Sequence, residues 1–147
     1  MEVTTNSTEE TKELATKLAK NIKPGMVLAL YGDLGSGKTT FTRFLVEALG
    51  FTSKVQSPTF VIARRYTHDD GSGKTEIKEI RHLDFYRLQS KQELEVLDME
   101  YFFDDKDVLT IVEWPEIAEE QLPADTIKLK FSYVDENSRK IYVQNLH

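Results

Sequence analysis

The chain has 147 residues, 39% hydrophobic and 30% charged, with a formal net charge of −6 and no cysteine. That length suits a single domain, 1–147, able to bury roughly two-thirds of its unfolded surface. Lack of cysteine excludes a disulfide framework, a thiolate metal site and a cysteine nucleophile, and the acidic balance argues against a broad charge-driven grip on nucleic acid.

Residues 1–6 have neither the basic flank nor the apolar core of a signal peptide, and no apolar run approaches the ~18 residues that cross a bilayer. A cytoplasmic setting without membrane contact is the expectation. Ser7-Thr8-Glu9-Glu10 reads as a capping box, with Ser7 as N-cap, and Leu14, Leu18 and Ile22 follow on one helix face. Pro24-Gly25 stops that helix. The apolar run 26–31 then reads as a strand buried on both faces. Beyond a glycine-rich loop, Phe41, Phe44, Leu45, Ala48 and Leu49 fall at the spacing of an amphipathic helix over 39–49, which Gly50 closes.

Ser57-Pro58-Thr59 signals a turn. Strands over 60–66 and 75–83 form a hairpin with a polar tip at 68–74. Ser90-Lys91-Gln92-Glu93 is a second capping box, opening a short helix through Leu94 and Leu97. Residues 108–112 form another buried strand, ending at Glu113-Trp114-Pro115. Two final strands, about 126–133 and 140–146, flank a turn at 135–138. There is no internal repeat, low-complexity tract or linker. The fold class expected is α/β, a P-loop NTPase-type domain with a mixed sheet flanked by helices.

The chemistry concentrates in Gly32-Asp33-Leu34-Gly35-Ser36-Gly37-Lys38-Thr39. A triphosphate is held best by converging backbone N–H groups at the positive end of a helix, and glycines let the backbone approach it with positive φ. Lys38 then reaches the β- and γ-phosphates, and the Thr39 hydroxyl completes a place on Mg²⁺. The four fixed positions arise by chance in roughly a few per thousand chains of this length, and the flanking strand and helix make coincidence rarer. The cofactors expected are ATP and Mg²⁺. Nucleotide contacts are expected from Asp33, Leu34, Gly35, Ser36, Gly37, Lys38, Thr39 and Thr40, with Asp84 and Trp114.

Such a site needs a carboxylate at the end of a neighbouring apolar strand. Glu113 ends 108–112, and Asp84 follows Ile80-Arg81-His82-Leu83, so two acids qualify. One anchors the metal, directly or through water, and the other orients the attacking water. Thr39 and Glu113 are the expected metal pair, with Asp84 the competing acid; a plain surface acid is the bland alternative for each. Thr59 suits a switch residue that senses the γ-phosphate, against an ordinary turn role. Lys38, Asp84, Glu113 and Thr59 form the catalytic set. For Trp114, stacking on a base or partner and burial in the core weigh evenly. His82 reads as structural, and His68 and His147 carry no signal. Arg64, Arg65, Arg81 and Arg87 offer phosphate or RNA contacts, with a solvated surface role weighing at least equally.

Four blocks occur in one order: Tyr31 to Phe41 around the glycine loop, Ser57-Pro58-Thr59-Phe60, His82-Leu83-Asp84-Phe85-Tyr86-Arg87-Leu88, and Val112-Glu113-Trp114-Pro115-Glu116. Together they resemble the bacterial TsaE (YjeE) family, from about Thr8 to the mid-130s. The glycine loop alone is shared by many families; its combination with the other three blocks is specific. The resemblance implies an ATPase required to form threonylcarbamoyladenosine in tRNA, on the adenosine 3′ of the anticodon. It implies two protein partners, TsaB and TsaD, with TsaD carrying out the transfer and ATP hydrolysis here supporting turnover. tRNA contact is then indirect, through the complex. Position by position, Lys38 and Thr39 serve phosphate and Mg²⁺, Thr59 lies in the switch block, Asp84 and Glu113 are the acidic residues, and Trp114 lies near the site. Two other readings start from a P-loop. A small nucleotide kinase needs a basic lid, and no Arg-rich lid segment occurs. A GTPase-like switch reads guanine with Asn-Lys-x-Asp, and that tetrapeptide is missing.

Overall fold

In a computed structural model of the chain, the residues described are 1–56, 62–67, 76–86, 88, 90, 92–93 and 103–146. Strands β1 (Glu2–Thr5), β2 (Val27–Tyr31), β3 (Ser53–Gln56), β4 (Ile62–Thr67), β5 (Glu79–Asp84), β6 (Val108–Glu113), β7 (Ile127–Tyr133) and β8 (Arg139–Gln144) form one sheet in the order β1-β8-β7-β2-β6-β5-β4-β3. Its centre, β7-β2-β6-β5, is parallel, and both flanks are antiparallel. The fold is the expected α/β arrangement with a mixed sheet.

Helices α1 (Thr8–Ala19) and α2 (Lys38–Ala48) cover one face of that centre. Ser7 caps α1 by accepting the Glu10 N–H at 3.1 Å, and the Glu10 carboxylate reaches back to the Asn6 N–H at 2.7 Å. Leu14, Ala15 and Leu18 from α1 meet Phe41 and Leu45 from α2 over Leu28, Leu30, Leu109, Ile111 and Leu129 of the sheet. Phe41 packs edge-on against Phe131 of β7, ring centres 5.4 Å apart. On the opposite face Val27, Leu83 and Val112 pack with Phe103 and with Ala118 of a 3₁₀ helix, Pro115–Gln121. The alternation of strand side chains between faces produces this two-sided core. Among the described residues no helix is long and apolar enough to cross a membrane.

Several expected elements change at their edges. The hairpin is present as β4 paired antiparallel with β5, but β5 starts at Glu79 and runs through Asp84, so Asp84 is the last strand residue rather than the one after it. The tip at 68–74 and the helix through Leu94 and Leu97 lie outside the described residues, although Ser90 does accept the Glu93 N–H at 3.2 Å. Strands β1 and β3 and the 3₁₀ helix were not expected at all.

The register fixes what meets at the carboxyl end of the sheet. Glu113 stands opposite Leu30 of β2 on one side and Asp84 of β5 on the other, and the Phe85 N–H bonds to the Glu113 carbonyl at 3.0 Å. In open α/β sheets, ligands bind outside the carboxyl ends of such strands. Phe41, on the side of α2 that packs on the sheet, is fully buried. Phe41→Ala should therefore cost about 3–5 kcal/mol of folding stability, read from urea denaturation.

Candidate nucleotide site at the carboxyl end of the parallel strands

Between β2 and α2 the chain turns through Gly32, Gly35 and Gly37, at φ +145°, +79° and +102°. The turn is closed by a hydrogen bond from Ser36 N–H to the Asp33 carbonyl at 3.1 Å. A Cβ at Gly32 would sit 2.6 Å from Ser36 Oγ and 2.7 Å from the Phe131 carbonyl, so this position needs glycine for space as well as for conformation. Gly37 is the N-cap of α2 and supplies no side chain to its first N–H groups. Those donors and the helix dipole make the bend attractive to an anion.

Lys38 opens α2 and is only 5% exposed. Its ammonium donates to the Gly32 carbonyl and lies 3.6 Å from the centre of the Trp114 ring. Burial pushes the Lys38 pKa below its ordinary value, against the opposing pull of Glu113, Glu116, Asp84 and Asp33. Glu113, 2% exposed, stands at the end of β6. The Thr39 hydroxyl donates to its Oε1 at 3.0 Å, and His82 Nε2 bonds its Oε2. Burial alone would raise this carboxyl's pKa; the hydrogen bond and charge of His82, the Thr39 hydroxyl and the Lys38 ammonium outweigh it and hold the carboxyl below its usual range.

A cleft of about 260 Å³ opens over these groups, lined by the loop from Asp33 to Thr40 together with Asp84, Glu113 and Trp114. Asp84 accepts the Tyr86 N–H at 3.0 Å, and the Tyr86 ring lies 4.9 Å from that of Trp114. A second cleft of about 330 Å³ continues from it past Ser36, Gly37 and Thr40 toward Ser7 and Thr8. Arg139 stands at the seam of the two. Its guanidinium donates to the carbonyls of Asp135 (2.6 Å) and Ser138 (2.9 Å) and lies over the Tyr133 ring. Arg139 Nε and Ser36 Oγ are both buried and have no hydrogen-bond partner among the described residues.

The description "Threonylcarbamoyl adenosine biosynthesis protein TsaE" belongs to a family model that matches residues 5–141. The chain belongs to the TsaE family. A Bacillus subtilis protein described as tRNA threonylcarbamoyladenosine biosynthesis protein TsaE is 41% identical over 133 residues, covering 90% of this chain and 78% of the relative. A Rickettsia bellii protein of the same description is 36% identical, covering 95% and 92%. The crystal structure of Bacillus subtilis YdiB superposes with a TM-score of 0.72 at 33% identity, covering 96% of this chain and 82% of that one.

In this TsaE-family chain three of the four sequence blocks converge on one cleft. The glycine loop, Asp84 and the Glu113-Trp114 pair all line it, whereas Thr59 and its Ser-Pro-Thr block lie outside the described residues. The two acids also separate: Glu113 bonds to Thr39, while Asp84 takes a backbone N–H two residues on. Trp114 packs on the Val112 cluster, and its ring faces the Lys38 ammonium, a contact that neither of its two readings named. His82 is buried, as expected, but it also touches the site through Glu113. Its position two residues before Asp84 on a strand, hence on the same face, was the available signal. Tyr86 stood in the quoted block without an assigned role. Arg139 was missed, and no local pattern marks it, since it reaches the loop from a strand a hundred residues away.

Gly32 and Gly35 differ in a way that can be measured. Gly35 has nothing within 4 Å of an added Cβ, while Gly32 faces backbone. Gly32→Ala should lower the urea midpoint clearly more than Gly35→Ala, whose cost is confined to roughly 1 kcal/mol of left-handed strain.

Proposed function

We propose that this chain is the ATP-binding and ATP-hydrolysing subunit required for threonylcarbamoylation of the adenosine next to the anticodon in tRNA, acting with TsaB and TsaD in the cytoplasm. One observation carries the ATPase part: the Thr39 hydroxyl and the Glu113 carboxylate meet beside a buried lysine at the open N-terminus of α2. The tRNA part is supported by family membership and by the names of the relatives. The net charge of −6 favours protein partners over direct capture of tRNA.

The donor set fits Mg²⁺. Thr39 and Glu113 offer hard oxygens, and Mg²⁺ held by one or two protein ligands would complete its shell with substrate phosphate oxygens and water. Bound there, Mg²⁺ neutralises charge on the phosphate oxygens. The loop N–H groups cradle the β-phosphate, and Lys38 exchanges the Gly32 carbonyl for phosphate oxygens. The nucleoside extends into the cleft beside Thr8, where Arg139 and Ser36 have donors to offer. Asp84 orients a water whose oxygen bonds to the γ-phosphorus as the bond to the β–γ bridging oxygen breaks. ADP leaves with the bonding pair, and the water's proton passes to solvent or phosphate. Thr59 senses the γ-phosphate.

Calorimetry with Mg²⁺ and ATP, ADP or GTP should show binding with ATP preferred over GTP. Phosphate release should be slow alone and faster with TsaB and TsaD. Lys38→Ala should weaken ATP binding by roughly 2 kcal/mol or more, about 30-fold; unchanged affinity and turnover would overturn the site. ATP affinity should also fall as pH rises. The bound phosphates raise the Lys38 pKa relative to the free chain, so the gain is complete below the free-chain pKa and is lost above it. Because burial lowers that pKa, the loss should begin below the 10.5 of an ordinary lysine.

A further inference from the structure

We propose that His82 is a positioning residue for the metal corner: by donating its Nε2–H to Glu113 Oε2, it holds the carboxylate so that Oε1 faces Thr39 and the Mg²⁺ that arrives with the nucleotide. This deepens the Mg²⁺–ATP reading above and rests on it. The geometry starts with strand periodicity. His82 and Asp84 lie on one face of β5, and His82 is in register with Ile111 of β6, two residues before Glu113. His82 therefore reaches Glu113 along the diagonal of a parallel pair.

The two oxygens of Glu113 are held by two different elements, Oε1 by α2 through Thr39 and Oε2 by β5 through His82. Without the second tether the carboxylate is free to swing about its last torsion, which is broad and weakly restrained. The His82 ring is itself fixed, being only 5% exposed. Its Nδ1 is buried with no hydrogen-bond partner among the described residues, so the side-chain hydrogen bond it makes there runs through Nε2. A histidine serving only to fill the core has no need to direct its one bonded nitrogen at the site's carboxylate. Partners of this kind behind a ligating carboxylate typically change metal affinity 10–100-fold when removed, a range expressed here as about 10-fold or more.

The test measures ATP affinity calorimetrically with Mg²⁺ and with EDTA, and the apparent Mg²⁺ affinity at saturating ATP, at one pH. His82→Ala and His82→Asn should weaken the apparent Mg²⁺ affinity about 10-fold or more while the affinity in EDTA stays within about 2-fold. His82→Gln should recover most of the loss, because its amide nitrogen reaches the Nε2 position whereas that of Asn reaches Nδ1. A purely structural role would instead lower the melting temperature and both affinities together, with Gln and Asn alike, and that result would overturn the proposal. If the unsubstituted chain binds ATP with no dependence on Mg²⁺, the metal corner itself fails and the His82 role with it. A normal dependence that survives all three substitutions removes His82 alone. Should the variants fail to fold, ¹⁵N imidazole spectra of the unsubstituted chain decide. A proton resident on Nε2, with and without Mg²⁺–ATP, is the expected result, and the tautomer protonated on Nδ1 alone contradicts it.

Discussion

A single buried carboxylate organises this molecule. Taking Glu113 out of water costs several kcal/mol unless charge and hydrogen bonds replace the lost hydration. The replacements come from His82 on β5 and from Thr39 and Lys38 on α2. Each tether works only if the β5–β6 register is kept and α2 starts where β2 delivers it. The centre of the sheet and the chemical site are therefore one cooperative unit. The hydrophobic face formed by Phe41, Leu45, Leu28 and Ile111 holds α2 at the height where Thr39 meets Glu113.

Much of that unit was legible because it is written locally. The run Val27-Leu28-Ala29-Leu30-Tyr31, the glycine loop and the Phe41, Leu45, Leu49 spacing each declare their element within a dozen residues, and the structure places them within a residue or two of expectation. Val108 to Val112 reads as buried on both faces and is so. Ser7 declares the start of α1 and caps it. What failed to read is settled by partners far away in the chain. Glu2-Val3-Thr4-Thr5 and Ser53-Lys54-Val55-Gln56 are short, polar edge strands, and β1 exists because residues 139–142 pair with it. The 3₁₀ helix has three glutamates in seven residues and no clear period; packing of Ala118 against the second core places it.

The site divides along the same line. The loop residues and Glu113 were readable because strand ends and glycine spacing are sequence patterns. Which of Asp84 and Glu113 meets Thr39 was not legible, and the register, which sets the two opposite each other, does not distinguish them. Both end a strand, and only the position of α2 decides which one receives the Thr39 hydroxyl. His82 and Arg139 share a different difficulty, since each is defined by which atom lacks or finds a partner, a property of the folded chain alone.

Trp114 shows how the corner is closed. It adopts φ 54° and ψ 55° immediately before Pro115, where both the side chain and the following proline disfavour that conformation. Strain of this kind, of order 1–3 kcal/mol, persists only when its surroundings over-determine it. Here Glu113 is tied on one side, Pro115 opens the 3₁₀ helix on the other, and the ring packs between the Lys38 ammonium and Tyr86. The sharp turn leaves the carboxylate on the α2 side and brings an aromatic face to the lysine, which loses water yet keeps an attractive surface for its charge. The cleft's formal charges then matter. Asp33, Asp84 and Glu113 carry three negative charges against the two positive charges of Lys38 and Arg139, a sum of −1. A bare polyphosphate would add to that excess and leave the loop N–H groups to offset it alone, so the cleft's charge agrees better with the Mg²⁺–nucleotide proposed above than with an unaccompanied anion.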